Sequence, residues 1–179
     1  MSPSAAAVRA LGPDDAESYV ELRAQALLQD PLSFTAGPGD DVASSVDFVR
    51  RALADSNQAT FGAFVDGAAR ARAAELAGIV GINRERHRKR AHRAVIWGLY
   101  VTPAHRGSGL GRALMTAALA HARSVEGVEY VDLGVGDWNR AAMRLYQDLG
   151  FTIWGTEADS LRVGDTVVAE HHMVLRLRA

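Results

Sequence analysis

A chain of 179 residues, 48% hydrophobic and 23% charged, is long enough to bury a core of its own and is not disordered throughout. A net charge of -1 argues against a generic nucleic-acid binder, and no apolar run approaches the roughly 20 residues that cross a bilayer. The absence of cysteine excludes a thiol nucleophile, a Cys-based zinc site and an iron–sulfur cluster, and makes a cytoplasmic home the default expectation.

Residues 1 to 7 lack a basic start and a sustained apolar stretch, so they read as a loose end and not as a signal peptide. Val8 to Leu11 reads as a short edge strand. Gly12-Pro13-Asp14-Asp15 starts a helix, with Pro in the first turn and two carboxylates at the positive helix end. Tyr19, Leu22, Ala26 and Leu27 form its apolar stripe, and Asp30-Pro31 ends it. After a Gly/Pro/Asp loop over 35–41, helical spacing of Val42, Val46, Val49 and Leu53 predicts a second helix. Thr60 to Val65 is strand-like and Asp66-Gly67 a turn; 68–75 is ambiguous between helix and strand, and Leu76 to Asn83 is the next strand. A basic connection over 84–93 reads as a solvated link, with attraction of phosphates, an acidic substrate or RNA as the functional alternative.

Ala94 to Val101 is apolar on both faces, as a central strand covered on each side should be. Leu110, Leu114, Ala118, Leu119 and Ala122 mark a helix, and Val128 to Val135 a further strand. Trp138 to Leu149 is a helix stopped by Gly150. Phe151 to Gly155 and Val167 to Leu177 complete the sheet, with a hairpin turn at Gly164-Asp165. Strands alternating with helices indicate α/β (α+β) architecture on a mixed sheet, and no linker divides residues 1–179 into two domains.

Two glycine-containing signatures carry the chemistry. The first, Arg106-Gly107-Ser108-Gly109-Leu110-Gly111-Arg112, sits between the 94–101 strand and the Leu110 helix. A helix start presents unpaired N–H groups and partial positive charge, and glycines let the backbone approach phosphate oxygens. A P-loop needs Lys followed by Ser or Thr after its last glycine, and Arg112-Ala113 stands there instead. A dinucleotide fingerprint needs a third glycine three residues after the second, and Arg112 fills that slot. What survives is R-x-x-G-x-G from Arg106 to Gly111. The second signature, N-x-x-A-x-x-x-Y-x-x-x-G-F, runs from Asn139 to Phe151.

Both motifs, in this order and separated by one helix and one strand, closely resemble the GNAT superfamily of N-acetyltransferases. The resemblance covers about sixty residues closely. It implies a mixed, mostly antiparallel central sheet of six to seven strands flanked by about four helices, built to bind acyl-CoA. Acetyl-CoA would be the cosubstrate, with no metal. The pantetheine arm would lie along the central strand at Leu99, Tyr100 and Val101. The diphosphate would sit on Arg106, Gly107, Ser108, Gly109, Leu110, Gly111 and Arg112. Asn139 would position the cofactor, and Tyr146, whose ordinary pKa near 10 suits proton transfer to a thiolate, would be the catalytic acid. The acceptor would be a small-molecule or peptide amine, walled by the first two helices and the late hairpin. Neither membrane nor nucleic acid is an expected partner, and relatives are often homodimers.

One departure stands out. Many relatives carry a Glu on the central strand to take a proton from the amine, and here those positions are Trp97 and Gly98. Asp132, Glu170, His171 and His172 are substitutes, although late-strand side chains are more often solvent-facing. The missing acid favours a non-catalytic acyl-CoA sensor as the alternative function; Tyr146 and Asn139 favour the enzyme. Trp97, Trp138 and Trp154 read as core or pocket walls. His171-His172 is no metal pair, because adjacent strand residues face opposite sides. Asp40 and Asp41 read as a solvated loop pair.

Overall fold

The computed structural model describes residues 7–66 and 74–177. Among the described residues seven strands form one sheet: β1 (Ala7–Ala10), β2 (Gln58–Val65), β3 (Glu75–Arg84), β4 (Arg93–Val101), β5 (Tyr130–Gly136), β6 (Thr152–Val163) and β7 (Thr166–Arg176). Their spatial order is β1-β2-β3-β4-β5-β7-β6. Every pairing is antiparallel except that of β4 with β5. Four helices among the described residues cover it: α1 (Ala16–Gln29), α2 (Val46–Leu53), α3 (Leu110–Ser124) and α4 (Arg140–Asp148). The mixed, mostly antiparallel sheet and the four helices match the sequence expectation.

The central strands are apolar on both faces because both faces are covered. On one face Leu110, Leu114, Met115, Ala118, Leu119 and Ala122 of α3 pack on Ala63, Val80, Ile82 and Ile96. Leu114 and Met115 are fully buried, and truncating such a side chain to Ala costs about 2–5 kcal/mol. On the other face Tyr19, Leu22, Ala26 and Leu27 of α1 meet Leu76, Ile79 and Tyr100. The i, i+3, i+4 spacing read from the sequence is the spacing that reaches the sheet.

The second helix is shorter than its apolar spacing predicts. Val42–Ser44 forms a separate 3-10 turn, Ser45 is extended, and its hydroxyl accepts from the Phe48 amide to cap α2. Val42 is left exposed; of the four spaced residues only Val49 is buried. β6 runs to Val163, eight residues beyond the expected end, and pairs with β7 through two register shifts. Those shifts spoil the period-2 alternation, which is why the sequence hides the strand. The Gly164-Asp165 turn lies where expected, between paired Val163 and Thr166. Gly67 of the expected Asp66-Gly67 turn, and 68–73 of the ambiguous stretch, lie outside the described residues.

Asp41 is the clearest correction on this face. It is buried, not solvated, and accepts a hydrogen bond from Arg23 Nε at 2.9 Å while Arg23 lies over the Phe34 ring. Among the tryptophans, Trp97 is half-buried, whereas Trp138 and Trp154 are exposed. Trp154 stacks on His172 with ring centroids 5.4 Å apart. The basic connection folds into a 3-10 turn at Arg88–Arg90, and Arg86, Arg90 and Arg93 pair with Asp55, Glu85 and Asp132.

Candidate active site

The parallel pairing of β4 with β5 lasts only from Arg93–Val95 against Tyr130–Asp132. Beyond it the strands diverge: β4 stays paired to β3 and β5 to β7. At the divergence β4 bulges. Ile79 pairs with Tyr100 and Gly81 with Trp97, so the two residues Gly98 and Leu99 oppose the single Val80. Gly98 has φ +66, a left-handed conformation that glycine adopts without strain.

A cavity of about 110 Å³ fills this divergence. Ile96 to Leu99 of β4 form one wall and Leu133 to Gly136 of β5 the other. Asn139, Ala142 and Tyr146 close it from α4, Ser160 and Leu161 from β6, Val168 to Glu170 from β7, and Leu32 to Phe34 from the segment after α1. Trp97 also walls a second, more open groove of about 500 Å³ between α1 and α2, lined by Tyr19, Arg23, Phe48 and Arg51. The Trp97 indole lies against Gly81, where a Cβ would overlap it.

Tyr146 is 7% exposed and packs edge-on against Phe151. Its hydroxyl has no hydrogen-bond partner among the described residues, and burial pushes its pKa well above the ordinary tyrosine value. It is therefore a neutral O–H at the cavity wall across the physiological range. Asn139 caps α4, its Oδ1 accepting from the Ala142 amide at 3.1 Å, and it also lines the cavity. Capping is a structural duty that leaves the Nδ2 donors for a second one.

The glycine loop leads from β4 into α3. Gly109, the N-cap of α3, has φ +90 and no side chain to cap the helix. None of the six amides from Gly107 to Arg112 donates to a protein acceptor among the described residues; Ala113 is the first whose amide does, to the Gly109 carbonyl. Gly107, Ser108 and Gly109 are exposed, while Leu110 is buried and anchors the helix start. Unpaired amides on a helix N-terminus make an anion cradle.

The other sequence-named residues divide by where their side chains go. Arg106 turns back: its Nε donates to the Val101 carbonyl at 3.0 Å and its Nη2 pairs with Asp30 at the end of α1. Arg112 pairs with Asp148 of α4 at 2.7 Å. The Ser108 hydroxyl donates to the His105 carbonyl. Leu99 lines the cavity. Tyr100 points to the α1 face, where its hydroxyl donates to Gln29, and burial raises its pKa. Of the substitutes for a strand Glu, Asp132 is clamped by Arg93, and His171 Nδ1 lies 2.9 Å from the Thr156 hydroxyl. His172 Nε2 lies 3.3 Å from Glu157, and only Glu170 lines the cavity. Glu157, Glu170 and His172 bring their ligand-type atoms within 4.8 Å of one another.

Two features escaped the sequence: Trp97 lying on Gly81, and the Glu170 carboxylate lying over Gly134, where a Cβ would overlap it. Strand-interior glycines are the signal for such close approaches.

A diverging parallel strand pair, a bulged central strand and a run of unpaired amides at a helix start together make a site that fits an extended, phosphate-bearing ligand. The chain matches the family model for the acetyltransferase (GNAT) family over residues 24–151, and it belongs to that family. It is similar to an acetyltransferase of the GNAT family from Streptococcus pneumoniae (24% identity, 97% of this chain and 100% of that one, TM-score 0.84). It is also similar to yncA from Salmonella typhimurium, solved with its cofactor acetyl-CoA (20% identity, 98% and 96% of the two chains, TM-score 0.81). A mycothiol acetyltransferase from Thermobispora bispora is 57% identical over 54 residues, 30% of this chain. The chain matches only 18% of that relative's length. Among the described residues no helix is long and apolar enough to cross a membrane.

Proposed function

We propose that residues 1–179 act as one N-acetyltransferase domain, moving an acetyl group from acetyl-CoA directly to a primary amine of a small molecule or peptide. The observation that carries this reading is the run of six unpaired amides from Gly107 to Arg112, one turn beyond a strand whose edge past Val95 lacks a neighbour. The cradle suits a diphosphate, and the unpaired edge of β4 suits an extended amide-bearing arm laid beside it as an added strand. Acetyl-CoA supplies the acetyl group as a reactive thioester.

The residues divide the work. Amides of Gly107 to Arg112 hold phosphate oxygens, each charge-assisted hydrogen bond contributing about 1.5–3 kcal/mol. Arg106 and Arg112 are already paired with Asp30 and Asp148. The Arg112–Asp148 pair is exposed on both sides and contributes about 0–1 kcal/mol, so that guanidinium can turn to a phosphate at small cost, whereas Arg106, which also donates to the Val101 carbonyl, braces the loop. The Leu99 to Val101 backbone aligns the arm, and the Asn139 Nδ2 group donates to it. The Tyr146 hydroxyl holds the proton that the departing sulfur needs. The amine enters past Leu32 to Phe34 and the Ser160–Leu161 part of the hairpin, which line the same cavity.

Titration calorimetry with CoA tests the cradle. The wild-type chain should bind, and Gly109→Val, which places a branched side chain at φ +90, should weaken binding about 100-fold or more, the equivalent of about 2.7 kcal/mol. Unchanged affinity in that variant removes the loop from the site. A non-catalytic acyl-CoA sensor is the second reading, favoured by the absence of an acid at Trp97 and Gly98. Free-thiol release from acetyl-CoA with amino acids, polyamines, aminoglycosides, arylamines and peptide N-termini separates the two.

A further inference from the structure

An alkylammonium ion must lose a proton before its nitrogen can attack, and β4 offers no acid at Trp97 or Gly98. We infer that Glu170 of β7 is the general base of this enzyme, held at the β4–β5 divergence by the missing side chain of Gly134 and by the Ser160 hydroxyl. The inference rests on the acetyl-transfer reading above.

Three observations carry it. Among the described residues lining the 110 Å³ cavity, Glu170 and Tyr146 are the only ones with ionisable side chains. Glu170 therefore faces the same space as the proposed acid, and the other substitutes named from the sequence do not. Its position is also built. The carboxylate lies over Gly134, where any Cβ would overlap it, and its Oε2 accepts from Ser160 Oγ at 3.2 Å. Finally, it has a way out for the proton. Glu170 also lines an outer depression with His172, Asp132, Arg93 and Arg90, and its carboxylate lies within 4.8 Å of His172 and Glu157 ligand atoms.

The proton balance follows. Glu170 takes one proton from the ammonium nitrogen, whose lone pair then forms the C–N bond. As the C–S bond breaks, its electron pair leaves with sulfur, and Tyr146 gives sulfur its proton. The nitrogen, cationic once the C–N bond has formed, sheds a second proton that restores Tyr146 through water and leaves the neutral amide with its one N–H. Glu170 passes its own proton through the outer depression to solvent, so one proton is released per amide formed. The ionisable groups facing Glu170 on that route are Glu157 from β6, His172 from β7, and Asp132, Arg93, Arg90 and Tyr130 across the depression.

Glu170→Gln keeps the shape and removes the base. With the best acceptor of the amine panel, kcat/KM should fall about 100-fold or more at neutral pH and then rise about tenfold per pH unit as the free amine accumulates. CoA affinity should stay within twofold. A second readout needs no turnover. In a chain labelled with carboxyl-¹³C glutamate, the resonance lost in Glu170→Gln should shift when that amine is added to the wild-type complex with CoA. A kcat/KM within threefold of wild type with an unchanged pH profile, or a Glu170 resonance indifferent to the amine, overturns the assignment. If Glu170→Gln does not fold, Glu170→Asp, which withdraws the carboxylate by one methylene, is read in the same way. A wild-type chain that binds CoA but acetylates nothing in the panel overturns the acetyl-transfer reading as well.

Discussion

Tyr146 shows how burial selects one protonation state. In an apolar wall the phenolate is disfavoured, so the proton stays on oxygen to a higher pH than for a tyrosine in water. As an acid in turnover it should therefore contribute no downward limb to the rate near pH 10, where an ordinary tyrosine ionises. Tyr146→Phe should lower kcat about 100-fold while CoA affinity stays within twofold, because the ring packing on Phe151 is kept. Unaltered kcat, with chemistry shown by single-turnover kinetics to be the slow step, removes Tyr146 from the acid role. The motif around Tyr146 was plain in the sequence. The same is not true of Glu170, because its significance depends on Gly134, thirty-six positions away in the chain and adjacent in the sheet.

At the level of helices and strands, ends matter more than middles. The 3-10 turn before α1 is held by Asp15, which accepts from the Gly12 amide at 2.8 Å and from Arg9. The Arg9 hydrogen bond first, then the Gly12 amide, holds the Asp15 carboxyl below the usual carboxylate range. A carboxylate favoured in the folded chain stabilises it at neutral pH, and that contribution is lost as pH falls through the folded value. Asp15→Asn should thus cost about 0.5–1 kcal/mol at pH 7 and nearly nothing at pH 2, read from paired urea unfolding curves. The Pro13 and acid pattern at this helix start was legible because capping is a local exchange between neighbours. The break at Ser45 was not, since Val42, Val46 and Val49 keep helical spacing across it.

For the molecule as a whole, ion pairs that the sequence showed only as separate charges add to the apolar packing between layers. Arg23 and Asp41, with side chains 12% and 6% exposed, lock α1 to the segment leading into α2 beside the larger groove. Removing one member of a buried pair leaves an unpaired buried charge, so Asp41→Ala should destabilise the chain by about 3–5 kcal/mol. Chemical denaturation measures this directly, and a loss below 1 kcal/mol would show the pair to be solvated. Arg106 also links the glycine loop to Asp30 at the end of α1, but with its side chain 47% exposed this pair is a weaker tie than Arg23–Asp41.

The order of strands and helices, the covered central strand, the glycine loop that leads into α3 and the helix within the Asn139–Phe151 segment were all readable in the chain. Each is set by neighbours within a few residues: side-chain periodicity, glycine before a helix, a cap at its first turn. The divergence of β4 from β5, the placing of Glu170 over Gly134 and the burial of Asp41 emerged only on folding. The last two join residues 36 and 18 positions apart, and the β4–β5 pairing whose end opens the divergence joins residues 37 apart; local periodicity cannot choose such partners.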